Sequence, residues 1–179
     1  MSTRLAYVLR HDPGSIGLAL DPAGWVDVDS LLAALARSGV PVTPTRLQAL
    51  VRDNAKQRFA FDESGTRIRA NQGHSVPVAL GLAEVDPPAW LYHGTARRSV
   101  PLILTEGLHR AGRHAVHLSP DVPTALQVGR RHGPAVVLRV DAGRMHADGF
   151  GFSVSANGVW LTDHVPSAYL TEAPSAPSR

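Results

Sequence analysis

The sequence predicts an α+β fold in two lobes. Over residues 1–70, three helical segments with regularly spaced apolar residues precede two segments that alternate like strands. Beyond residue 88 the chain changes to short β-rich segments interrupted by two helical ones, which is typical of a sheet assembled from non-adjacent strands. The chain has 179 residues, of which 44% are hydrophobic and 18% charged, so it can bury a core in lobes of this size.

Apolar spacing and capping residues predict the three helices of the first lobe. The first ends at a proline-containing break, the second is capped by an aspartate and ended by a glycine, and the third begins at a Thr-Pro pair. The residues that mark them are Leu5, Val8 and Leu9 before residues 10–13, then Asp29 and Gly39, then Thr43 and Pro44. A hairpin follows, with alternating Phe59 and Phe61, a turn at 62–65 and a return strand at 66–70. Helices followed by a hairpin outline a winged helix, a module that binds nucleic acids or proteins.

The second lobe is predicted from short apolar runs. Strands are expected at residues 90–93, 116–118, 135–140 and 159–161, and helices at 99–106 and 122–131. The predicted division of the chain is a first lobe at 1–70, a crossing segment at 71–88, a second lobe at 89–170 and a flexible tail at 171–179, rich in Pro, Ser and Ala.

Composition excludes several classes of protein. The chain has no cysteine, so disulfide scaffolds, thiolate nucleophiles and cysteine-based zinc sites are excluded. No apolar run approaches the ~20 residues that span a bilayer, and the N-terminus lacks the apolar segment of a secretory signal. We therefore expect a soluble, cytoplasmic protein with no membrane partner. The glycine-rich nucleotide motifs and the Gly-x-Ser-x-Gly motif of serine hydrolases are missing as well.

The nine histidines do not form a pattern typical of a metal site. His109, His114 and His117 lie close together in the sequence, but no Asp or Glu falls among them. Catalytic zinc sites usually combine histidines with a carboxylate or a cysteine, so no metal is expected.

The basic residues are unusual in kind rather than in number. There are 18 Lys and Arg against 15 Asp and Glu, a formal net charge of +3, and Lys56 is the only lysine. Guanidinium groups bind phosphate in a bidentate manner, but a coding bias toward Arg, Ala, Gly and Pro explains the same composition. Only arginines in informative positions therefore indicate function.

Four short clusters combine polar residues with a break or an edge in the predicted structure. They are Arg10-His11 at the end of a helix, Lys56-Gln57-Arg58 before a strand, Tyr92-His93-Gly94-Thr95 after an apolar strand, and residues 113–119 leading into another strand. Gly94 would let a ligand approach the backbone closely. Each cluster also has an ordinary explanation as a solvated basic helix end, a glycine turn or a half-buried strand.

Taken together, these clusters resemble the Tpt1/KptA family of RNA 2′-phosphotransferases. The motifs follow in the family's order and spacing over nearly the whole chain: residues 9–11, Gly24-Trp25, residues 56–59, Gln72-Gly73-His74-Ser75, residues 92–95, residues 116–119 and residues 157–162. The resemblance implies an N-terminal winged-helix RNA lobe and a C-terminal ADP-ribosyltransferase-like lobe that binds NAD. It also implies that the protein acts on RNA carrying an internal 2′-phosphate, as in tRNA splicing, with NAD as co-substrate. We expect a monomer, although the sequence leaves the oligomeric state open.

The resemblance implies a reaction in two steps. The RNA 2′-phosphate attacks C1″ of the nicotinamide ribose of NAD and expels nicotinamide. The ribose 2″-hydroxyl then attacks the new phosphodiester, which releases 2′-OH RNA and ADP-ribose 1″,2″-cyclic phosphate. The catalytic residues carried over from the family are Arg10, His11, Arg58 and Arg113, and the cofactor-binding residues are His93, Gly94, Thr95, His117, Ser119 and Val159. Three guanidiniums suit a phosphate that gains charge, and a histidine suits proton transfer near neutral pH.

The sequence departs from the family pattern at a few positions, and two alternative functions remain open. Only nine residues precede Arg10, Ala55 stands where an acidic residue is frequent, and Leu5-Ala6 replaces a frequent Leu-Ser pair. One alternative is an ADP-ribosyltransferase that stops after the first step, on a nucleic-acid phosphate or a protein. The other is a non-enzymatic winged-helix protein that binds nucleic acid.

Overall fold

The computed structural model describes residues 1–173, apart from the side chain of His132. The described chain has the mixed helix and strand content that the α+β prediction requires. It divides into two compact units, and the first contains Met1–Leu82 together with Gly112–His114. The second begins with Ala83–Ala111 and continues from Ala115. The unit boundaries therefore differ from the predicted ranges, because 71–82 and 112–114 both belong to the first unit.

The first unit contains the helices and the hairpin predicted for the N-terminal lobe. Its helices are α1 (Ser2–Arg10), α2 (Val28–Arg37) and α3 (Pro44–Arg52), with a 3₁₀ helix at Pro13–Ile16. Its strands are β1 (Val26–Asp27), β2 (Phe59–Phe61) and β3 (Arg67–Ala70). Strand β3 pairs antiparallel with β2 on one side and with β1 on the other. The short β1 has too few residues to show an alternating pattern, so sequence analysis did not predict it.

Capping explains where these helices begin and end. Thr43 accepts a hydrogen bond from the backbone N–H of Arg46, which confirms the predicted start of α3. The predicted cap of α2 at Asp29 is wrong. The cap is Asp27, whose extended backbone lets its carboxylate accept from the N–H of Ser30 at 2.8 Å. Asp29 lies already in the first turn, where an acidic side chain favours the helix dipole.

The core of the first unit lies between the helices and the sheet. The predicted stripe of α1 is confirmed, since its three apolar residues are almost completely buried. The buried cluster includes Leu5, Val8, Leu9, Leu31, Leu35, Leu47, Phe59 and Ile68. Burial of these side chains fixes the rotation of α1 and hence the direction in which its last residue, Arg10, leaves the helix.

The second unit is built from short strands and short helices. The helices are α4 (Val100–Glu106), α5 (Val122–Gly129) and α6 (Ala142–Ala147), with 3₁₀ helices at Arg97–Ser99, Arg130–His132 and Ser167–Tyr169. The strands are β4 (Trp90–Ala96), β5 (Leu108–His109), β6 (Val116–Leu118), β7 (Ala135–Asp141), β8 (Ser153–Val154), β9 (Trp160–Thr162), β10 (His164–Val165) and β11 (Leu170–Glu172). The prediction that its sheets join strands distant in sequence is confirmed.

All pairings among the described strands of this unit are antiparallel. Strand β7 lies between β4 and β11, β9 lies between β6 and β8, and β5 pairs with β10. The longest register runs from Trp90 opposite Asp141 to Ala96 opposite Ala135. Thr171 and Glu172 belong to β11, so the predicted tail from residue 171 is wrong for these two residues: they pair with Arg139 and Leu138. Residues 174–179 of the predicted tail lie outside the described residues.

Helix α5 packs directly on β4 through glycine. A side chain at Gly94 would collide with the backbone carbonyl of Ala125 and come within 2.9 Å of the backbone nitrogen of Gly129. Gly94 is therefore glycine because the helix needs the space on that side of the strand. The sequence interpretation, in which the space served a ligand, is wrong for this face of β4. No helix within residues 1–173 is long and apolar enough to cross a membrane.

Candidate active site

Arg10 and His11 lie where α1 ends. His11 leaves helical geometry, although its backbone N–H still donates to the carbonyl of Tyr7. The next residue, Asp12, caps the following 3₁₀ helix by accepting from the N–H of Ser15 at 3.0 Å. The two caps make the chain turn sharply after Arg10, as the sequence predicted. The Arg10 side chain is half-buried, and His11 is exposed.

Residues 73–76 lie against this helix end. The carbonyl of Arg10 accepts hydrogen bonds from the N–H groups of Ser75 at 2.8 Å and Val76 at 3.3 Å. Nδ1 of His11 and the hydroxyl of Ser75 are 2.9 Å apart. Gly73 has φ +86°, and a β-carbon there would lie 3.6 Å from Nη1 of Arg10. This segment therefore orients both residues, a role that its interpretation as a crossing segment missed.

Arg58 is held by a strained corner before β2. Gln57 has φ +42°, a region that non-glycine residues rarely adopt. Its N–H donates to the carbonyl of Asn54 at 2.7 Å, and its carbonyl accepts from the side-chain amide of Asn71 at 2.6 Å. The N–H of the buried Asn71 donates to the carbonyl of Arg58 at 2.9 Å. These bonds fix the direction in which Arg58 leaves the backbone.

Arg10, Arg58 and Arg113 form a cluster of positive charge in the first unit. Burial, together with the smaller effect of the neighbouring guanidiniums of Arg58 and Arg113, lowers the pKa of Arg10 to about 10. No carboxylate is among the causes of this shift. Within residues 1–173, Nε and Nη2 of Arg10 are buried without a hydrogen-bond partner. Buried cationic donors that lack an anion are costly, so this arrangement favours binding of an anion such as phosphate.

The same surroundings keep His11 neutral. Partial burial lowers the pKa of His11 below its ordinary value, and the positive charges of Arg10 and Arg113 act in the same direction. A neutral imidazole near neutral pH can accept a proton from a reacting group. His11 therefore suits the role of a general base before an anion enters the site.

Contacts between His74 and His114 hold the chain segment that carries Arg113 in the first unit. His114 donates its backbone N–H to the carbonyl of His74 at 3.2 Å, and the two rings meet edge to face at 6.0 Å. The side chain of His74 is 0% exposed, and its ring nitrogens have no hydrogen-bond partner within residues 1–173. The prediction that 112–114 belongs to the second lobe missed this connection, since the contact joins residues forty positions apart.

The buried His74 predicts a loss of stability in acid. Burial, followed by the charges of His114 and Arg10, lowers the pKa of His74 to about 4. The unfolded chain protonates this ring near the ordinary value of 6.5, so between these values it binds more protons than the folded chain. The free energy of unfolding should fall by about 2–3 kcal/mol as the pH falls from 7.5 to 4.5. Urea unfolding at several pH values measures this loss.

The comparison that isolates His74 uses His74→Asn. This variant should show a clearly smaller loss between pH 7.5 and 4.5, whereas His109→Asn, at an exposed position, should keep the loss of the parent protein. Asp27, Asp53 and Asp62 contribute little to the change in stability between pH 7.5 and 4.5. Their pKa values are lowered in the folded protein, so their stabilising effect is lost only in stronger acid. An equal loss in His74→Asn and the parent would contradict the assignment to His74.

A second group of predicted site residues lies in the second unit. His93 and Thr95 share the face of β4 opposite to Gly94, because side chains alternate along a strand. Reciprocal backbone hydrogen bonds of 2.9 and 2.7 Å between Tyr92 and Ser119 join β4 to the end of β6. Nδ1 of His93 lies 3.1 Å from the carbonyl of His117, which can only accept. Nδ1 of His93 is therefore the donor in this contact.

Val159 enters the same region through a turn before β9. The N–H of Ser155 donates to the carbonyl of Val159 at 2.9 Å, and the Ser155 hydroxyl accepts from the N–H of Val159 at 3.1 Å. Gly158, which lies between them in the turn, has φ +76°. The pairing of β6 with β9 ends at Leu118 opposite Trp160, and Ser119 and Val159 are the residues adjoining this last pair. The second unit thus gathers the residues predicted to bind the cofactor, and their roles stay predictions.

A metal centre is not visible in the described part of the chain. Within residues 1–173 no group of three His, Asp or Glu side chains is arranged to hold a metal ion.

Comparisons with known proteins give the family. Residues 1–164 match the family described as "RNA 2'-phosphotransferase, Tpt1 / KptA family". A "Probable RNA 2'-phosphotransferase" from Agrobacterium fabrum is 57% identical over 167 residues, which cover 93% of this chain and 90% of that protein. Proteins of the same name from Streptomyces coelicolor and Nostoc punctiforme are 55% and 52% identical over 170 residues, which cover 95% of this chain and 92% and 94% of theirs. The resemblance inferred from the motifs is confirmed, and the chain belongs to the Tpt1/KptA family of RNA 2′-phosphotransferases.

Proposed function

We propose that this protein removes an internal 2′-phosphate from RNA by transferring it to ADP-ribose, with NAD as co-substrate. The products are 2′-OH RNA, ADP-ribose 1″,2″-cyclic phosphate and nicotinamide, and the reaction passes through a 2′-phospho-ADP-ribosylated RNA. The family and the names of the relatives support an RNA 2′-phosphate as substrate. The proposal assigns the first unit to RNA as a winged helix and the second to NAD as an ADP-ribosyltransferase-like lobe.

The observation that carries the proposal is the anion site around Arg10. Two of its donor atoms are buried and have no hydrogen-bond partner within residues 1–173, and its neighbours Arg58 and Arg113 add positive charge. A dianionic phosphate would satisfy these donors and offset the mutual repulsion of the guanidiniums. An enzyme that only attached ADP-ribose to a protein would not need such a cluster.

The proposed roles follow from where charge gathers. Arg10, Arg58 and Arg113 hold the oxygens of the phosphate and stabilise the negative charge of the second transition state. His11 is neutral in the protein without substrate, and a bound phosphate raises its pKa because it offsets the neighbouring positive charges. His11 can then take a proton from the 2″-hydroxyl and return it to the departing RNA oxygen.

The polar side chains predicted to bind the cofactor in the second unit are chemically suited to a dinucleotide. His93, Thr95, His117 and Ser119 offer imidazole and hydroxyl groups, with no carboxylate among them to repel a diphosphate. NAD supplies an electrophilic ribose carbon and nicotinamide as a leaving group. The protein contributes orientation of that ribose, since nicotinamide leaves as a neutral molecule and needs little charge stabilisation.

One assay tests the proposal against its alternatives. The full-length protein is incubated with NAD and a 2′-phosphorylated oligonucleotide in EDTA, and the RNA is analysed by gel and mass spectrometry. Dephosphorylated RNA and the cyclic phosphate are expected, with no product when NAD is omitted. Accumulation of ADP-ribosylated RNA as the end product would indicate a transferase without the second step. Unchanged RNA would contradict the proposal, and activity that returns only with a divalent ion would contradict the metal-free mechanism.

Ser119→Ala tests the division of labour between the units. Ser119 is predicted to contact NAD, and its backbone is already fixed by Tyr92. Loss of one hydroxyl hydrogen bond should raise the KM for NAD by roughly fivefold to tenfold and leave the KM for RNA within about twofold. Steady-state kinetics with each substrate varied in turn measures both values. A raised KM for RNA with an unchanged KM for NAD would contradict the placement.

A further inference from the structure

The first unit contains a basic groove whose lining residues, apart from Arg58, lie outside the cluster of Arg10, Arg58 and Arg113. The groove lies along α3 and the residues that follow it, and has a volume of about 440 Å³. Its polar lining includes Ser2, Arg46, Asn54, Lys56 and Arg58. Because Arg58 belongs both to this basic groove and to the cluster around Arg10, the groove leads directly to the proposed phosphate site.

The electrostatics of the basic groove favour an anionic chain. Arg46, Lys56 and Arg58 bring positive charge to its walls, and Asp53 is the acidic residue among the described lining residues. The carboxylate of Asp53 is engaged by the guanidinium of Arg52 in two hydrogen bonds of 2.8 and 3.2 Å, and this pair lowers the pKa of Asp53. The groove therefore keeps a net positive charge. Its volume suits a nucleotide-sized group and not a folded partner domain.

The backbone of the basic groove is held rigidly. Asn54 accepts from the N–H of Lys56 at 3.1 Å through its side-chain oxygen, and its amide donates to the hydroxyl of Ser2 at 3.4 Å. Gln57, between the two basic residues, keeps its left-handed backbone through bonds to Asn54 and Asn71. Strained non-glycine residues that are held by several bonds often occur at ligand clamps.

We propose that the basic groove binds the RNA backbone next to the 2′-phosphate, with Arg46 and Lys56 contacting phosphodiesters while Arg58 contacts the reacting phosphate. The inference rests on the proposed function and adds to it a subsite for single-stranded RNA. Contacts to phosphates carry no sequence information, so the groove selects for an RNA chain and not for a base sequence. An acidic protein segment is the competing occupant, and the continuity with Arg58 favours RNA over it.

The test compares a short and a long substrate. The variants are Arg46→Gln, Lys56→Gln and the double variant, with Arg37→Gln on the exposed end of α2 as the matched control. The substrates are a 2′-phosphorylated dinucleotide and an oligonucleotide of about twenty nucleotides that carries the same internal 2′-phosphate. For each groove variant, the ratio of kcat/KM on the long substrate to kcat/KM on the short one should fall about fivefold. The control should keep the ratio of the parent protein.

Salt dependence gives an independent readout. Fluorescence anisotropy with the single-stranded oligonucleotide measures the slope of log K against log salt concentration. Each lost phosphate contact should reduce the magnitude of that slope by about 0.7, so the double variant should lose about 1.4. The parent protein should release only about two to four counterions, because the cluster and the groove contact few phosphates.

The outcomes separate the two proposals. An unchanged ratio and an unchanged salt slope in the double variant would overturn the groove assignment. Binding of a polyglutamate peptide that the double variant abolishes, while its affinity for the oligonucleotide equals that of the parent protein, would overturn it as well. If the parent protein left both substrates phosphorylated, the proposed function would fail. The anisotropy measurements would still decide whether the basic groove binds RNA.

Discussion

Arg58→Ala and Arg113→Ala are expected to slow the second chemical step by about 10²-fold or more, and to slow the first step much less. In the first step the RNA phosphate displaces neutral nicotinamide from a cationic precursor, so charge is dissipated. In the second step a hydroxyl attacks the phosphodiester, and negative charge gathers on its non-bridging oxygens. Only interactions that are stronger in the transition state accelerate a step, so the guanidiniums should act mainly on the second.

In Arg58→Ala and Arg113→Ala, 2′-phospho-ADP-ribosylated RNA is therefore expected to accumulate. Rapid-quench gels during a time course with NAD would show it as a band that migrates more slowly than the substrate. Arg37→Ala is a suitable control, because Arg37 is exposed at the end of α2 and is not among the charges that lower the pKa of Arg10. Variants that stall with untouched substrate would instead assign Arg58 and Arg113 to binding or to nicotinamide displacement.

The pKa of His11 in Arg113→Ala provides a measurement that does not depend on turnover. Arg113 is one of the charges that lower the pKa of His11, after burial and Arg10. The pKa of His11 should therefore rise in Arg113→Ala, and NMR titration of the histidine rings without substrate can follow it. A variant that is merely misfolded would lose the tertiary dispersion of the spectrum, whereas the predicted rise in pKa is confined to His11 and His114, the two rings whose pKa values the charge of Arg113 lowers.

Gly94→Ala is expected to lower the free energy of unfolding by about 3 kcal/mol or more. The new methyl group would meet the carbonyl of Ala125 in α5, and the backbone of Gly129 on the same helix leaves no room on the other side. Backbone atoms of a packed helix cannot move aside as a flexible side chain can, so α5 must shift away from β4. Urea unfolding of the purified variant measures the loss.

Gly112→Ala is the matched control for this change. Gly112 has open space where a β-carbon would lie and does not need a left-handed backbone, so its substitution should change stability by less than about 0.5 kcal/mol. If Gly94→Ala were as stable as Gly112→Ala, the packing of α5 on β4 would not be the reason for glycine at this position, and a raised KM for NAD would instead indicate that a ligand approaches Gly94.

Local patterns determined most of the secondary structure and the family. Helix α1 with its buried apolar stripe, the Thr43-Pro44 start of α3 and the hairpin of β2 and β3 follow from spacing and capping, which act over a few residues. The error at Asp29 shows the limit of such signals. Asp27 and Asp29 have the same side chain, and the extended backbone that selects Asp27 comes from the pairing of β1 with β3.

The motifs also determined which residues belong to the candidate site, but not how they are held. Ser75 beside His11, Asn71 behind Gln57 and Arg58, and the fully buried His74 all lie in a stretch without apolar periodicity. Such a stretch looks like a linker in sequence because its contacts are hydrogen bonds to distant backbone groups. Only the tertiary structure places those groups beside it.

The placement of Arg113 is the clearest case of tertiary control. By position in the chain it belongs with the strands of the second lobe, and nothing within a few residues of it indicates otherwise. The hydrogen bond from His114 to the carbonyl of His74 and the contact between their rings bring Gly112–His114 into the first unit, beside Arg10. Sequence alone determined that three arginines were available to hold a phosphate. Long-range packing decided that they share one site, because closing that contact depends on residues that local propensity does not connect.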